Sequence, residues 1–79
     1  MNLDIRTPAN AVYSGEVSLV QLPGIDGLFE ILEHHAPLVA ALQKGIVKIE
    51  TKEDKQTLTF DINGGVVEVL HDKILILAE

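Results

Sequence analysis

Apolar and polar residues alternate with a period of two through the middle of the chain. Leu58, Phe60 and Ile62 interleave with Thr57, Thr59 and Asp61; Val47 and Ile49 interleave with Lys48 and Glu50; Val67 and Val69 flank Glu68. Alternation of this kind sends one set of side chains to a buried sheet face and the other to water. The pattern predicts a three-stranded meander over residues 45–71. Its first reversal falls at Lys52, Glu53, Asp54 and Lys55, a fully charged turn, and its second at Asn63-Gly64-Gly65, whose residues suit a tight one.

Elsewhere the punctuation is similar. Turn-forming residues recur at Thr7-Pro8, Ser14-Gly15, Pro23-Gly24, Asp26-Gly27, Lys44-Gly45 and Asp72, leaving segments of 5 to 9 residues between clusters. That length suits strands and is short for helices. Residues 17–22 change phase at Leu19-Val20, the sign of a bulge or of a strand covered on both sides. Residues 74–78 are apolar throughout, so they need cover on both faces, or a partner. Residues 36–42 are read as a strand, with one to two helical turns as the alternative. No amphipathic helical stripe of 10 residues occurs. The expectation is an all-β domain, a flattened sandwich or barrel of about eight to ten short strands.

Composition narrows this further. Val, Ile and Leu fill 27 of 79 positions, against three aromatic residues, so one aliphatic core is expected over residues 1–79 with a radius of gyration of about 12 Å. Mean hydropathy is +0.26 despite a net charge of −6. So many aliphatics have few places to hide in a chain of this size, and some apolar surface should meet a partner. With 6 basic residues against 12 acidic ones and no basic cluster, nucleic acid and anionic lipid are poor partners. The start lacks the layout of a signal peptide, and the longest apolar run, residues 36–42, is far below the roughly 18 residues that span a bilayer. A soluble or peripheral protein is expected.

Chemistry is sparse. There is no cysteine, hence no disulfide, thiolate metal site or thiol nucleophile. His34 and His35 are adjacent and on a strand would face opposite ways, while His71 with Asp72 is distant in sequence; surface or interface histidines are a better reading than a zinc or nickel site. Ser14 and Ser18 have no histidine nearby, and Glu30 with Glu33, or Asp26 with Glu30, reads as a solvated face rather than an acid–base pair. No catalytic, cofactor-binding or metal-binding residue is assigned. The unusual stretch is residues 23–42, which holds two glycine-bearing turns, the exposed candidates Leu28 and Phe29, a polar Glu33-His34-His35 and then Ala36-Pro37 before an apolar run. Such a corner looks like a docking surface; an ordinary sandwich corner is the alternative.

These residues carry a family resemblance. Leu3-Asp4-Ile5 with Thr7-Pro8, Tyr13-Ser14-Gly15-Glu16-Val17, Leu22-Pro23-Gly24 with Asp26-Gly27, Ile31-Leu32 leading to His35-Ala36-Pro37-Leu38, Gly45 before Val47-Lys48-Ile49, and Gly64-Gly65-Val66 with Glu68-Val69 follow one another in order. Over essentially the whole chain this resembles the epsilon subunit of the rotary ATP synthase. The resemblance implies that subunit's amino-terminal β-sandwich, two antiparallel five-stranded sheets. It implies a non-catalytic central-stalk role, in which the subunit binds gamma, sits on the c ring and transmits rotation. It further implies a peripheral position on the cytoplasmic face of the bacterial inner membrane, with membrane association only through the complex.

Carried over residue by residue, the c-ring contact would fall on Asp26, Gly27, Leu28, Phe29 and Glu30, and the gamma contact on Thr7, His35, Ala36, Pro37, Leu38 and Ala40. Leu28 stands where relatives commonly have an acid, and His34 where Gly or Asn is frequent, so the c-ring contact should be more apolar here. Most family members continue into a helical hairpin that restrains ATP hydrolysis; these residues, ending at Glu79, are expected to lack it and its nucleotide-binding function. Two other readings stay open: a β-sandwich adaptor or small-ligand module, and a metal-dependent enzyme built on His34, His35 or His71.

Overall fold

Runs of alternating aliphatics with β-branched residues form strands almost everywhere. The computed structural model describes residues 1–79 and contains no helix. Its strands are β1 (Asn2–Arg6), β2 (Ala11–Gly24), β3 (Gly27–Leu32), β4 (Leu38–Thr51), β5 (Thr57–Leu70) and β6 (Lys73–Ala78). They form one sheet in the order β1-β6-β5-β4-β2-β3, which closes because β1 also pairs with β2. All pairs are antiparallel except β1 with β6. The radius of gyration is 11.2 Å.

Three strands are 14 residues long and bend, so each serves both layers of the flattened barrel. One layer comprises β1, β6, the starts of β2 and β4 and the end of β5. The other comprises β3, the ends of β2 and β4 and the start of β5. Counted by segment the layers hold five and four strands, within the expected eight to ten. The segment of residues 36–42 is strand from Leu38 onward. Leu3, Ile5, Val67, Ile74 and Ile76 of the first layer pack with Val20, Leu22, Ile31, Val47 and Ile49 of the second in one core.

The bends account for where turn chemistry misleads. True reversals occur around residues 7–10, 25–26, 33–37, 52–56 and 71–72. Ser14-Gly15, Pro23-Gly24, Lys44-Gly45 and Asn63-Gly64-Gly65 lie inside strands instead. The expected meander over residues 45–71 is therefore two long strands, and the expected turn at 63–65 is a corner. Gly64 and Gly65 adopt φ of 125° and 148°, which an L side chain rarely adopts. That freedom lets β5 change its buried phase, from Ile62 to Val67, without reversing. Gly65 is also wedged between its ladder partners Leu42 and Ala78, and a Cβ there would collide with the Leu77 carbonyl. In β2 the phase change expected at Leu19-Val20 is a register shift against β4 between Val17 and Leu19.

Closure leaves two different outer faces. The first layer turns Val39, Ala41, Val66 and Leu77 outward with half-buried Leu75, beside the polar Asn2, Asp4, Arg6, Glu68 and Lys73; Val39 is 70% exposed and Leu77 51%. The second layer turns out Gln21, Glu30, Lys48, Glu50, Thr57, Thr59 and Asp61, with Leu32 and Ile46 as its large apolar exceptions. Residues 74–78, expected to need cover on both faces or a partner, are covered on one: Ile74, Ile76 and Ala78 turn inward, while Leu77 lies in the open.

The corner yields a prediction. Gly65→Ala should lower unfolding free energy by about 2–4 kcal/mol, combining a collision with backbone strain, whereas Thr59→Ala on the polar face should change it by less than about 0.5 kcal/mol. Urea denaturation followed by circular dichroism measures both, and equal tolerance at the two positions would count against the corner.

Candidate interaction surface

The candidate residues fall on two connections. The first is the tip of the β2–β3 hairpin, where Ile25 and Asp26 form the turn and Gly27 and Leu28 begin β3. Ile25 is 61% exposed and Leu28 70% exposed. Phe29 turns inward and packs against the core, and Glu30 accepts a hydrogen bond from Gln21 Nε2 at 3.2 Å. Gln43 Nε2 donates to the Gly24 carbonyl at 2.9 Å, tying the base of the hairpin to β4.

The second connection is the β3–β4 loop. His34 takes a left-handed φ of 67°, so His34 and His35 stand on a turn rather than a strand. His35 Nδ1 donates to the Ala36 carbonyl at 2.7 Å. Ala36 and Pro37 are exposed, but Leu38 and Ala40 pack on the core and Val39 and Ala41 take the outward positions. Thr7 does not join this group. Cross-strand partners run Leu38–Val69–Ile74–Leu3 at one end of the layer and Ala41–Val66–Leu77–Arg6 towards the other, which puts Thr7 beyond the far end. There Thr7 shapes its own turn, its hydroxyl accepting from the Asn10 amide at 3.1 Å.

The fold brings the remaining groups together. A shallow depression of about 470 Å³ is lined by Ile25, Asp26, Gly27 and Phe29 from the hairpin and by Leu38, Val39, Ala40 and Ala41 from β4. The two sets of candidate residues therefore border one continuous surface. Residue-by-residue reasoning missed Val39, Ala41, Val66 and Leu77, although the doubly apolar stretch 74–78 was the available signal.

At the opposite end from the hairpin tip, His34, His35 and His71 face one depression. With Glu33, Lys52, Pro37 and Asp72 they line a polar depression of about 650 Å³. No three His, Asp or Glu side chains are placed to hold a single ion. Lys52 Nζ donates to Glu33 Oε1 at 3.1 Å, and the Met1 ammonium lies 3.4 Å from the same oxygen, 3.3 Å from Glu16 and 4.0 Å from Asp72. The Lys52 hydrogen bond, then its charge, then the Met1 ammonium hold the Glu33 carboxyl below the usual carboxylate range, and Glu33 in return raises Lys52. The other candidate chemistry is dispersed. Ser14 is exposed, Ser18 donates to Glu50 Oε1 at 3.2 Å, and Glu30 and Glu33 are committed to different partners.

A family profile described as the ATP synthase delta/epsilon chain, beta-sandwich domain, matches residues 1–79. The chain belongs to the ATP synthase epsilon-chain family. It is 48% identical over 77 residues to the ATP synthase epsilon chain of Chlorobium limicola, covering 98% of this chain and 86% of that one. It is 43% identical over 79 residues to the epsilon chain of Sulfurimonas denitrificans, covering all of this chain and 60% of the relative. The epsilon β-sandwich also matches solved structures. It is similar to a chain of the Euglena gracilis mitochondrial ATP synthase, OSCP/F1/c-ring, with a TM-score of 0.84 at 19% identity over 96% of this chain and 48% of that one. It is likewise similar to a chain of the Tetrahymena thermophila mitochondrial ATP synthase, central stalk and c-ring, with a TM-score of 0.78 at 19% identity over 98% and 61% of the two chains.

The ion pairs set a pH dependence. Glu33, with its lowered pKa, contributes stability in full above the ordinary carboxylate value of about 4.3 and loses it as pH falls through its folded value. Lys52, raised, contributes in full below about 10.4 and loses it as pH rises through its folded value. Both are exposed, so the effect is small and screened by salt. At low ionic strength Glu33→Gln should flatten the acid limb of melting temperature against pH. Superimposable acid limbs for the two proteins would refute the pairing.

Proposed function

We propose that this epsilon-family chain is a central-stalk rotor subunit of the ATP synthase. On this reading it docks on gamma through the outer face of the first layer and meets the c ring with the β2–β3 tip. It then couples proton-driven rotation to ATP synthesis by mechanical contact, without catalysing a step itself. Its place is peripheral, on the cytoplasmic face of the bacterial inner membrane, reached through the complex.

The observation that carries this reading is the asymmetry between the two outer faces. An isolated sandwich gains by keeping both outer faces polar, as the second layer largely does. The first layer instead exposes Val39, Val66 and Leu77 in adjoining cross-strand positions, and the depression beside Val39 and Ala41 continues to Ile25 at the hairpin tip. Exposed apolar area of this continuity is a feature of surfaces that a partner covers. It also revises the contact set proposed for gamma. Ala36 and Pro37 remain at its border, whereas half-buried Leu38 and Ala40 pack on the core and reach the surface only within the depression.

The tip has a matching logic. Leu28 and Ile25 project from a tight hairpin whose base is braced by Gln43, which gives a firm apolar point with Asp26 beside it. A contact that transmits torque has to resist shear, and a hairpin tied into a closed barrel is stiffer than a free loop.

Val39→Asp and Leu77→Asp should each weaken co-purification with gamma, by about 2 kcal/mol or more in affinity, and leave the melting temperature nearly unchanged because both side chains are exposed. Leu28→Asp should lower retention on the c ring while sparing gamma. Binding assays on the reconstituted complex read these effects, and undiminished gamma affinity in both face variants would overturn the assignment of that face.

A further inference from the structure

One carboxylate stands in the middle of the apolar face. Glu68 lies on β5 with Val39 beside it on β4 and Leu75 beside it on β6. Two positions away along β5, on the same side, are Val66 and Leu70, 42% and 52% exposed. Two shallow depressions meet at this residue. One, of about 710 Å³, runs past Asp4, Arg6, Lys73, Leu75 and Leu77, and the other, of about 280 Å³, lies between Pro37, Val39 and Leu70.

Glu68 forms no ion pair, although Arg6 and Lys73 border the larger depression with it. The ion pairs of the chain are Met1 with Glu16, Glu33 and Asp72, Arg6 with Asp4, and Lys52 with Glu33. The other acid of the face, Asp4, thus already has Arg6 at 4.0 Å. In water the bare carboxylate is well solvated and costs nothing. Once a partner covers Val39, Leu75 and Leu77, that water is stripped away, and a carboxylate left without a counter-charge strongly opposes the contact. A surface that binds here has to bring a cation to one spot.

We propose that Glu68 is the specificity-determining charge of this face, recognising a single Lys or Arg set in an otherwise apolar segment of the partner stalk subunit. The assignment rests on the reading of the face as the gamma-docking surface. The apolar neighbours supply affinity without direction, whereas the charge pair fixes register and rejects apolar surfaces that carry no cation. The two depressions on either side of Glu68 fit this arrangement, since side chains flanking the partner's cation would seat in them.

The test uses gamma and the c ring assembled with variants of this chain. Glu68→Lys should weaken gamma binding by about tenfold or more, and Glu68→Gln should weaken it less while flattening its dependence on salt. Asp61→Lys, the same change on the polar outer face, should leave affinity unaltered and serves as the charge control. Carbodiimide coupling in the assembled complex, or a Lys-to-Glu or Arg-to-Glu exchange on gamma that restores binding to Glu68→Lys, identifies the cation. If Glu68→Lys binds like the unaltered chain while Val39→Asp does not, the charge inference is wrong and the docking face stands. If neither variant loses affinity, the docking face itself falls.

Discussion

β1 has two partners, antiparallel β2 and parallel β6, and that double pairing closes the sheet. Five residues cannot carry a layer alone, so the closure forces the long strands to curve. β2, β4 and β5 each leave one layer and enter the other through a phase change. At β5 the corner needs two glycines in conformations closed to other residues, while at β2 a register shift suffices. Packing follows from the corners, because they bring the aliphatic faces of the two layers together around a single core. Without them β5 would be a flat strand with Ile62 and Val67 on opposite sides.

The same closure decides which surface is free. A barrel of this size has an interior for one core's worth of aliphatics, and the chain carries more than that. Part of the surplus lies at the hairpin tip and at Leu32 and Ile46, and part on the outer face of the first layer, where Val39, Ala41, Val66 and Leu77 lie on three neighbouring strands. That face adjoins the β2–β3 tip, so the two contacts proposed for a rotor subunit share one edge of the molecule. Because no strand of this layer is free to swing, force applied at the tip passes into the sheet through backbone hydrogen bonds.

Electrostatics works at the margins of this frame. Near the histidines, Lys52, Glu33, Glu16 and Asp72, all exposed, form with the ammonium of buried Met1 a small network that fastens the start of the chain to the β3–β4 loop. Such pairs add little stability, but they hold that loop beside the apolar face. Glu68 is different in kind. It lies within the face and forms no ion pair in the chain, so its meaning is set by what covers it.

Much of this was legible in the residues alone. Period-two alternation at Leu58, Phe60 and Ile62, the charged reversal at 52–55 and the phase change at Leu19-Val20 all report local geometry, which side-chain identity dictates directly. The surplus of aliphatics likewise pointed to apolar residues left on the surface. Tertiary structure alone decided the meaning of Asn63-Gly64-Gly65, since a positive φ serves a corner as well as a turn, and only the position of Leu77 behind Gly65 separates the two. It also decided that Val39 faces out while Leu38 and Ala40 pack on the core, and that His71 and His34 border one depression. Sequence sets how each segment can behave; which face is buried depends on the segments it meets across the sheet, and those can be distant along the chain, as Asn2 is from Lys73 and Leu38 from Val69.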